Sequence, residues 1–180
     1  RLDQDSLFVW DVMLGDEATQ MAAHRRRLVD QINQRLSAYY SKIADKNTTI
    51  TADYNSIVSA QGYQQSFIAH LASHLERDLA TGFTSVGPHR DDVVFLIDSQ
   101  PMLTTASRGE IRTLLLALKR LELDLKLQLY GRSPILLLDD VFSELDSTRQ
   151  QQLTKSFYDG QVIITTTAVP KQFRMGRIDL

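Results

Sequence analysis

Pro134-Ile135-Leu136-Leu137-Leu138-Asp139-Asp140-Val141-Phe142-Ser143-Glu144-Leu145-Asp146 is the stretch on which the fold turns. Its apolar run closed by two aspartates predicts a strand buried on both faces, with two carboxylates delivered at its C-terminal edge. In open α/β sheets ligands lie outside the carboxyl ends of the strands, so acids placed there face a cleft. Adjacent carboxylates suit Mg²⁺, which takes one or two of them and otherwise keeps water and substrate phosphate. Successive strand residues point to opposite sides, so one acid can lie against a metal while the other addresses water. The plainer alternative is that Asp139-Asp140 ends the strand and caps the following helix.

Outward from this strand, Ser143 to Tyr158 reads as a helix and Val162-Ile163-Ile164-Thr165-Thr166-Thr167 as the next strand. On the other side, Leu121-Glu122-Leu123-Asp124-Leu125-Lys126-Leu127-Gln128-Leu129 alternates like a half-buried strand. Its Leu, Glu, Lys and Gln are nevertheless good helix formers, and Ile111, Leu114, Leu118, Leu121, Leu125 and Leu129 continue one helical face. Leu116, Leu123 and Leu127 add a second face, so a helix packed on two sides is expected, ended by Gly131 and Pro134. It opens at Ser107-Arg108-Gly109-Glu110, where free N–H groups and the dipole suit phosphate, although a Ser cap before a helix is ordinary. Val93-Val94-Phe95-Leu96-Ile97 reads as a buried strand turned by Asp98-Ser99-Gln100-Pro101. Strand, helix, strand, helix, strand predicts a parallel α/β sheet in this half.

The first half reads differently. From about Asp16 to Ala44 there is no Pro or Gly, and Met21, Leu28, Ile32, Leu36, Tyr39 and Ile43 recur at helical spacing, which predicts one long helix. Its polar side carries His24-Arg25-Arg26-Arg27, either a solvated face or a patch that meets DNA phosphate. A strand over Asn47–Tyr54 and a helix over Gln61–Leu79, stopped by Gly82, follow. Phe83-Thr84-Ser85-Val86-Gly87-Pro88-His89-Arg90-Asp91-Asp92 carries turn chemistry and marks the expected boundary between a helical arm or lobe, 1–82, and an α/β core, 83–180. His89 and Arg90 there are either a surface turn salted by Asp91 and Asp92 or a charged loop facing phosphate or a partner subunit.

Composition narrows the classes. Among 180 residues, 43% are hydrophobic, enough for a sizeable core. Twenty basic against 22 acidic residues, net −2, give no global attraction to nucleic acid, so any DNA contact is local. The absence of cysteine excludes a disulfide framework and thiolate metal sites and fits a reducing compartment. No apolar run approaches the roughly 20 residues that span a bilayer, so no membrane partner is expected. The chain starts at Arg1 without Met or signal-peptide character, from which we expect it to lie inside a longer protein.

Three motifs in register carry a resemblance that covers essentially the whole chain: Thr84-Ser85-Val86-Gly87-Pro88-His89-Arg90-Asp91-Asp92, Ser107-Arg108-Gly109-Glu110-Ile111-Arg112-Thr113, and Pro134–Asp140 followed by Ser143-Glu144-Leu145-Asp146. Together they resemble the C-terminal part of an ABC-class ATPase head and, more closely, the RecF family of bacterial DNA-repair ATPases related to the SMC group. The resemblance implies a Walker B strand in which Asp139 holds Mg²⁺ and Asp140 orients or deprotonates the attacking water. It implies that Ser107, Arg108, Gly109 and Glu110 form a signature motif that touches ATP bound by the opposite subunit, and that Ser143, Glu144, Leu145 and Asp146 form the D-loop. The implied partners are gapped or junction DNA, a second copy in an ATP-dependent homodimer, and RecR and RecO, in the bacterial cytoplasm. Arg25, Arg26, Arg27 and Arg90 are the DNA-contact candidates.

The chain departs from the wider pattern in three places. Glu110 stands where the signature usually has Gln; no His follows Thr165-Thr166-Thr167, where many ABC ATPases keep a switch histidine that RecF-like sequences often lack; and no G-x-x-x-x-G-K-[ST] loop occurs, so the phosphate cradle lies elsewhere. We therefore expect a C-terminal portion without nucleotide turnover of its own. The rival readings are the ATPase head of an SMC-like DNA tether, and a non-catalytic interaction domain in which the aspartates and Ser107 are caps.

Overall fold

The computed structural model describes residues 4–140, 150 and 160–166, with side chains from Leu7 onward. The chain forms two compact units that interleave along the sequence, Arg1–Gln31 with Ala52–Phe95, and Ile32–Thr51 with Leu96–Leu180.

The first helix, α1, spans Gln4–Asn33, and α2 spans Leu36–Ala44. The single helix expected over Asp16–Ala44 thus begins earlier and breaks at Gln34–Arg35. No Gly or Pro forces the break. Arg35 N–H bonds back to the Ile32 carbonyl at 3.1 Å, a tighter turn than the α pattern, and Arg35 then flanks α2. Leu36, Tyr40 and Ile43 are buried on α2, in the second unit, and Ala18, Ala22 and Val29 are buried on α1, in the first.

In the first unit, α1 meets α3, Tyr63–Thr81, over a core of Ala18, Ala22, Val58, Tyr63, Phe67, Leu71 and Val86. Small residues on α1 allow close approach: a Cβ on Gly15 would lie 3.1 Å from Gln64 Cγ. Asp16 accepts from Gln64 Nε2 at 2.8 Å beside that contact. The stacked rings of Tyr63 and Phe67, 6.2 Å between centroids, fill the middle. Gly82 caps α3 in the left-handed conformation, and Leu79, read as part of the apolar face, is exposed.

A three-stranded sheet has the order β1 (Ile50–Asn55), β2 (Asp92–Ile97), β3 (Gln100–Pro101). Strands β2 and β3 are antiparallel, with Ile97 opposite Gln100, so Asp98-Ser99 is a two-residue turn. Both turn residues have positive φ, 46° and 67°, the twist that a right-handed hairpin requires. The β2 strand is half-buried and belongs to this sheet, not to the parallel sheet predicted for it. A one-turn helix, α4 (Met102–Thr105), was not expected; its Met102 is 2% exposed and anchors it.

In the second unit α5 runs Arg108–Tyr130 and settles the ambiguous leucine run as helix. Thr113, Leu114, Leu116, Ala117, Leu121 and Leu123 are buried, so both predicted faces are used, whereas Leu129 at the end is exposed. Helix α2 packs on α5. Between them the Tyr39 hydroxyl donates to Asp124, which Arg120 also meets at 3.1 Å. Burial first, then this carboxylate, pushes the Tyr39 phenol up.

Strands β4, Leu136–Asp139, and β5, Val162–Thr165, form a parallel pair in register Leu136↔Val162 through Asp139↔Thr165. Leu136 and Leu138 pack with Leu123, Val162 and Ile164. The strand is not buried on both faces: Leu137 is 69% exposed, because only one face of this pair meets α5. Of the expected helix Ser143–Tyr158 only Gln150 is described, and it is helical; Thr167 lies outside the described residues.

Candidate nucleotide and metal site

The parallel pairing of β4 with β5 puts Asp139 and Asp140 at the carboxyl edge of two adjacent strands. Asp139 is the last residue of β4 and lies on its exposed face. One carboxylate oxygen accepts from the Thr165 hydroxyl across the pair. Asp140 turns out of the strand with φ at 43°, and its N–H reaches both the Thr165 carbonyl and the Thr165 Oγ1 at 3.1 Å. The ladder thus ends on a clasp that holds two exposed acids side by side.

Every donor here is oxygen, and the carboxylates face solvent, which fits a hard cation such as Mg²⁺ that keeps several waters. Asp139 is the residue that would hold it, and Asp140 beside it is left to address water. Thr165 was read from the sequence only as part of a Thr-rich strand. Its place opposite Asp139 depends on strand register, which the order of residues does not disclose.

The second predicted element is the start of α5. Ser107 has extended backbone, and its Oγ accepts from Glu110 N–H at 3.3 Å. Glu110 answers by accepting from the Ser107 N–H and from the Ser107 hydroxyl, each at 2.8 Å. This is a complete capping box. It explains how an acid is accommodated where the family usually has Gln: the carboxylate is bound to its own helix end. Thr113 Oγ1 donates to the Gly109 carbonyl at 2.8 Å, one turn on, and is fully buried. Ser107 and Arg108 are exposed. Ser143, Glu144, Leu145 and Asp146 lie outside the described residues.

The arginine candidates part company. The Arg25 guanidinium donates to the Pro88 carbonyl. Arg26 lies over the rings of Tyr54 and Tyr63, 5.3 and 5.2 Å from their centroids. Neither is the solvated face nor the open patch weighed from the sequence; both are half-buried in the first unit. Arg27 and Arg90 are exposed, Arg90 Nε reaching the Thr84 carbonyl at 3.2 Å. The loop that carries Arg90 is tightly built. Val86 is fully buried, Ser85 N–H meets both Asp78 oxygens at 3.1 Å, and the Tyr54 hydroxyl donates to Asp91. Burial and then the Asp91 carboxylate push the Tyr54 phenol up to about 12, against the opposing pull of Arg25.

No protein-family profile matches the chain. Two solved structures, described as the recombination mediator protein RecF-ATP and RecF-ATPrS in the RecFOR pathway, each superpose with a TM-score of 0.76. They are 28% and 27% identical and cover 93% of this chain and 46% of theirs. The fold class is therefore that of an ABC-type ATPase head, an α/β core with a mainly helical lobe. A protein of Lachnoclostridium phytofermentans is 37% identical over 175 residues, 97% of this chain and 47% of its own. One of Synechocystis sp. is 39% identical over 168 residues, 90% of this chain and 44% of its own, and one of Streptococcus uberis is 35% identical over 173 residues. All three bear the name DNA replication and repair protein RecF, and the chain belongs to the RecF family. It spans about half the length of the curated relatives it matches. No described helix is long and apolar enough to cross a membrane.

Proposed function

We propose that the chain supplies the signature and Walker B half of a RecF-like DNA-repair ATPase. The full-length protein binds DNA at gaps or at single-strand/double-strand junctions, dimerises on ATP, and assists recombinase loading with RecR and RecO in the cytoplasm. The observation that carries this reading is the pair Asp139-Asp140 at the carboxyl edge of the parallel strands. It is supported by kinship with RecF proteins and likeness to RecF-ATP over nearly the whole chain.

In this reading Asp139 holds Mg²⁺ and Asp140 orients the attacking water. Bound Mg²⁺ supplies charge stabilisation at the phosphate oxygens. Ser107, Arg108, Gly109 and Glu110 present the start of α5 to nucleotide on the opposite subunit, and Ser143 to Asp146 pass between the two sites. Since the 180 residues contain no G-x-x-x-x-G-K-[ST] loop, they turn over no ATP alone. Arg27 and Arg90, exposed, are the better placed DNA candidates; Arg25 holds the Pro88 carbonyl and Arg26 lies over Tyr54 and Tyr63. The capping box favours one competing reading, in which Ser107 and Glu110 only start a helix.

The mass in solution of the full-length protein, with and without ATP and Mg²⁺, tests the proposal. A dimer that forms only with ATP, persists in Asp140→Asn and disappears in Ser107→Ala is expected. A mass unchanged by ATP, or an ATP-dependent dimer indifferent to Ser107→Ala, refutes the ATP clamp or the signature role respectively.

A further inference from the structure

We infer that Thr165 is a positioning residue for the aspartate pair, setting Asp139 for a divalent cation and Asp140 for water; the inference rests on the reading proposed above. A hydroxyl has one proton to donate and two lone pairs. Thr165 spends its proton on Asp139 Oδ1 and a lone pair on the Asp140 N–H, at 3.1 Å, so one side chain ties both acids. With Oδ1 held, the other oxygen of Asp139 is the one left for an ion. Carboxylate ligands oriented by such a neighbour bind metal more tightly, and losing the neighbour costs about 10–100-fold in affinity.

The same residue accounts for the backbone of Asp140. Its φ of 43° is in the left-handed region, which a residue other than glycine enters at a cost of about 1–2 kcal/mol. Two acceptors on Thr165, the hydroxyl and the carbonyl, face its N–H and hold it there. Because β4 and β5 are in register at Asp139↔Thr165, no other residue of β5 can reach this position.

The test uses full-length protein with a non-hydrolysable ATP analogue and measures Mn²⁺ affinity by calorimetry, together with the thermal midpoint in the absence of metal. Thr165→Val is expected to weaken Mn²⁺ binding about 10–100-fold, Thr165→Ser to restore it, and the metal-free midpoint to change little. Asp139→Ala should remove the site. If Asp139→Ala leaves Mn²⁺ affinity intact, the assignment of Asp139 fails and this inference with it. If Asp139→Ala removes binding while Thr165→Val matches wild type, only the positioning role is overturned. Unfolding of both Thr165→Val and Thr165→Ala without metal would also overturn it, since Thr165 would then serve the sheet.

Discussion

Replacing Gly87 by alanine probes the loop on which Arg90 is mounted. The residue has φ of +128°, a conformation in which a side chain costs about 1–3 kcal/mol. An added Cβ would stand 3.0 Å from Phe67 Cε2 and 3.3 Å from the His89 ring. His89 is exposed and can swing aside, but Phe67 is 1% exposed and sits in the middle of the first unit's core. Overpacking of that kind adds about 1–3 kcal/mol, for a total of about 2–6 kcal/mol. Gly82→Ala is the control: φ is +74°, but nothing lies within 4 Å of the added Cβ, so only a backbone cost of about 1–2 kcal/mol remains. Urea unfolding followed by far-ultraviolet circular dichroism, with amide exchange to localise the loss to α3, measures both. The Gly87 variant should be the less stable by more than about 1 kcal/mol, and Phe67→Leu should relieve part of its penalty but none of the Gly82 penalty. Equal costs at the two positions would refute the argument that Phe67 closes on position 87.

The Tyr54 phenol, raised to about 12 by burial and by Asp91, should titrate above the ordinary value near 10 in a phenolate absorbance titration read as wild type minus Tyr54→Phe. Because the folded value is the higher one, its contribution to stability is complete below about pH 10 and is lost as pH rises through about 12; a value near 10 would mean the phenol is neither buried nor bonded to Asp91. At the start of α5, Ser107→Ala should cost about 0.5–2 kcal/mol in thermal unfolding. Glu110→Gln should cost no more than about 0.3–1 kcal/mol, since an amide oxygen can take over the cap and only the charge at the dipole is lost. A Glu110→Gln penalty larger than that of Ser107→Ala would contradict the capping account.

Much of the architecture was legible in local pattern. Helix α5 was readable despite its alternating leucines, because good helix formers without β-branching outweigh a period-two stripe. The turn at Asp98-Ser99, the stop at Gly82 and the strand ending in Asp139 announced themselves through residues whose backbone preferences are local. The aspartate pair and the Ser107 cap were legible for the same reason. Arg25 and Arg26 were not: a run of arginines looks alike whether it meets solvent, phosphate or, as here, a carbonyl and two tyrosine rings from distant parts of the chain. The break at Gln34–Arg35 carries no breaker residue, so nothing local in the chain announces it.

The sequence by itself determined the main helices and strands, where two carboxylates and a capped helix start occur, and the kinship with RecF that their order implies. Those are properties of near neighbours in the chain, set by propensity, period and capping. Only the tertiary structure decided that β2 leaves the parallel sheet for an antiparallel one, that one face of β4 is open, and that Thr165 stands against Asp139. Each of these depends on pairing between residues far apart in the chain, and pairing is selected by burial and register summed over whole faces.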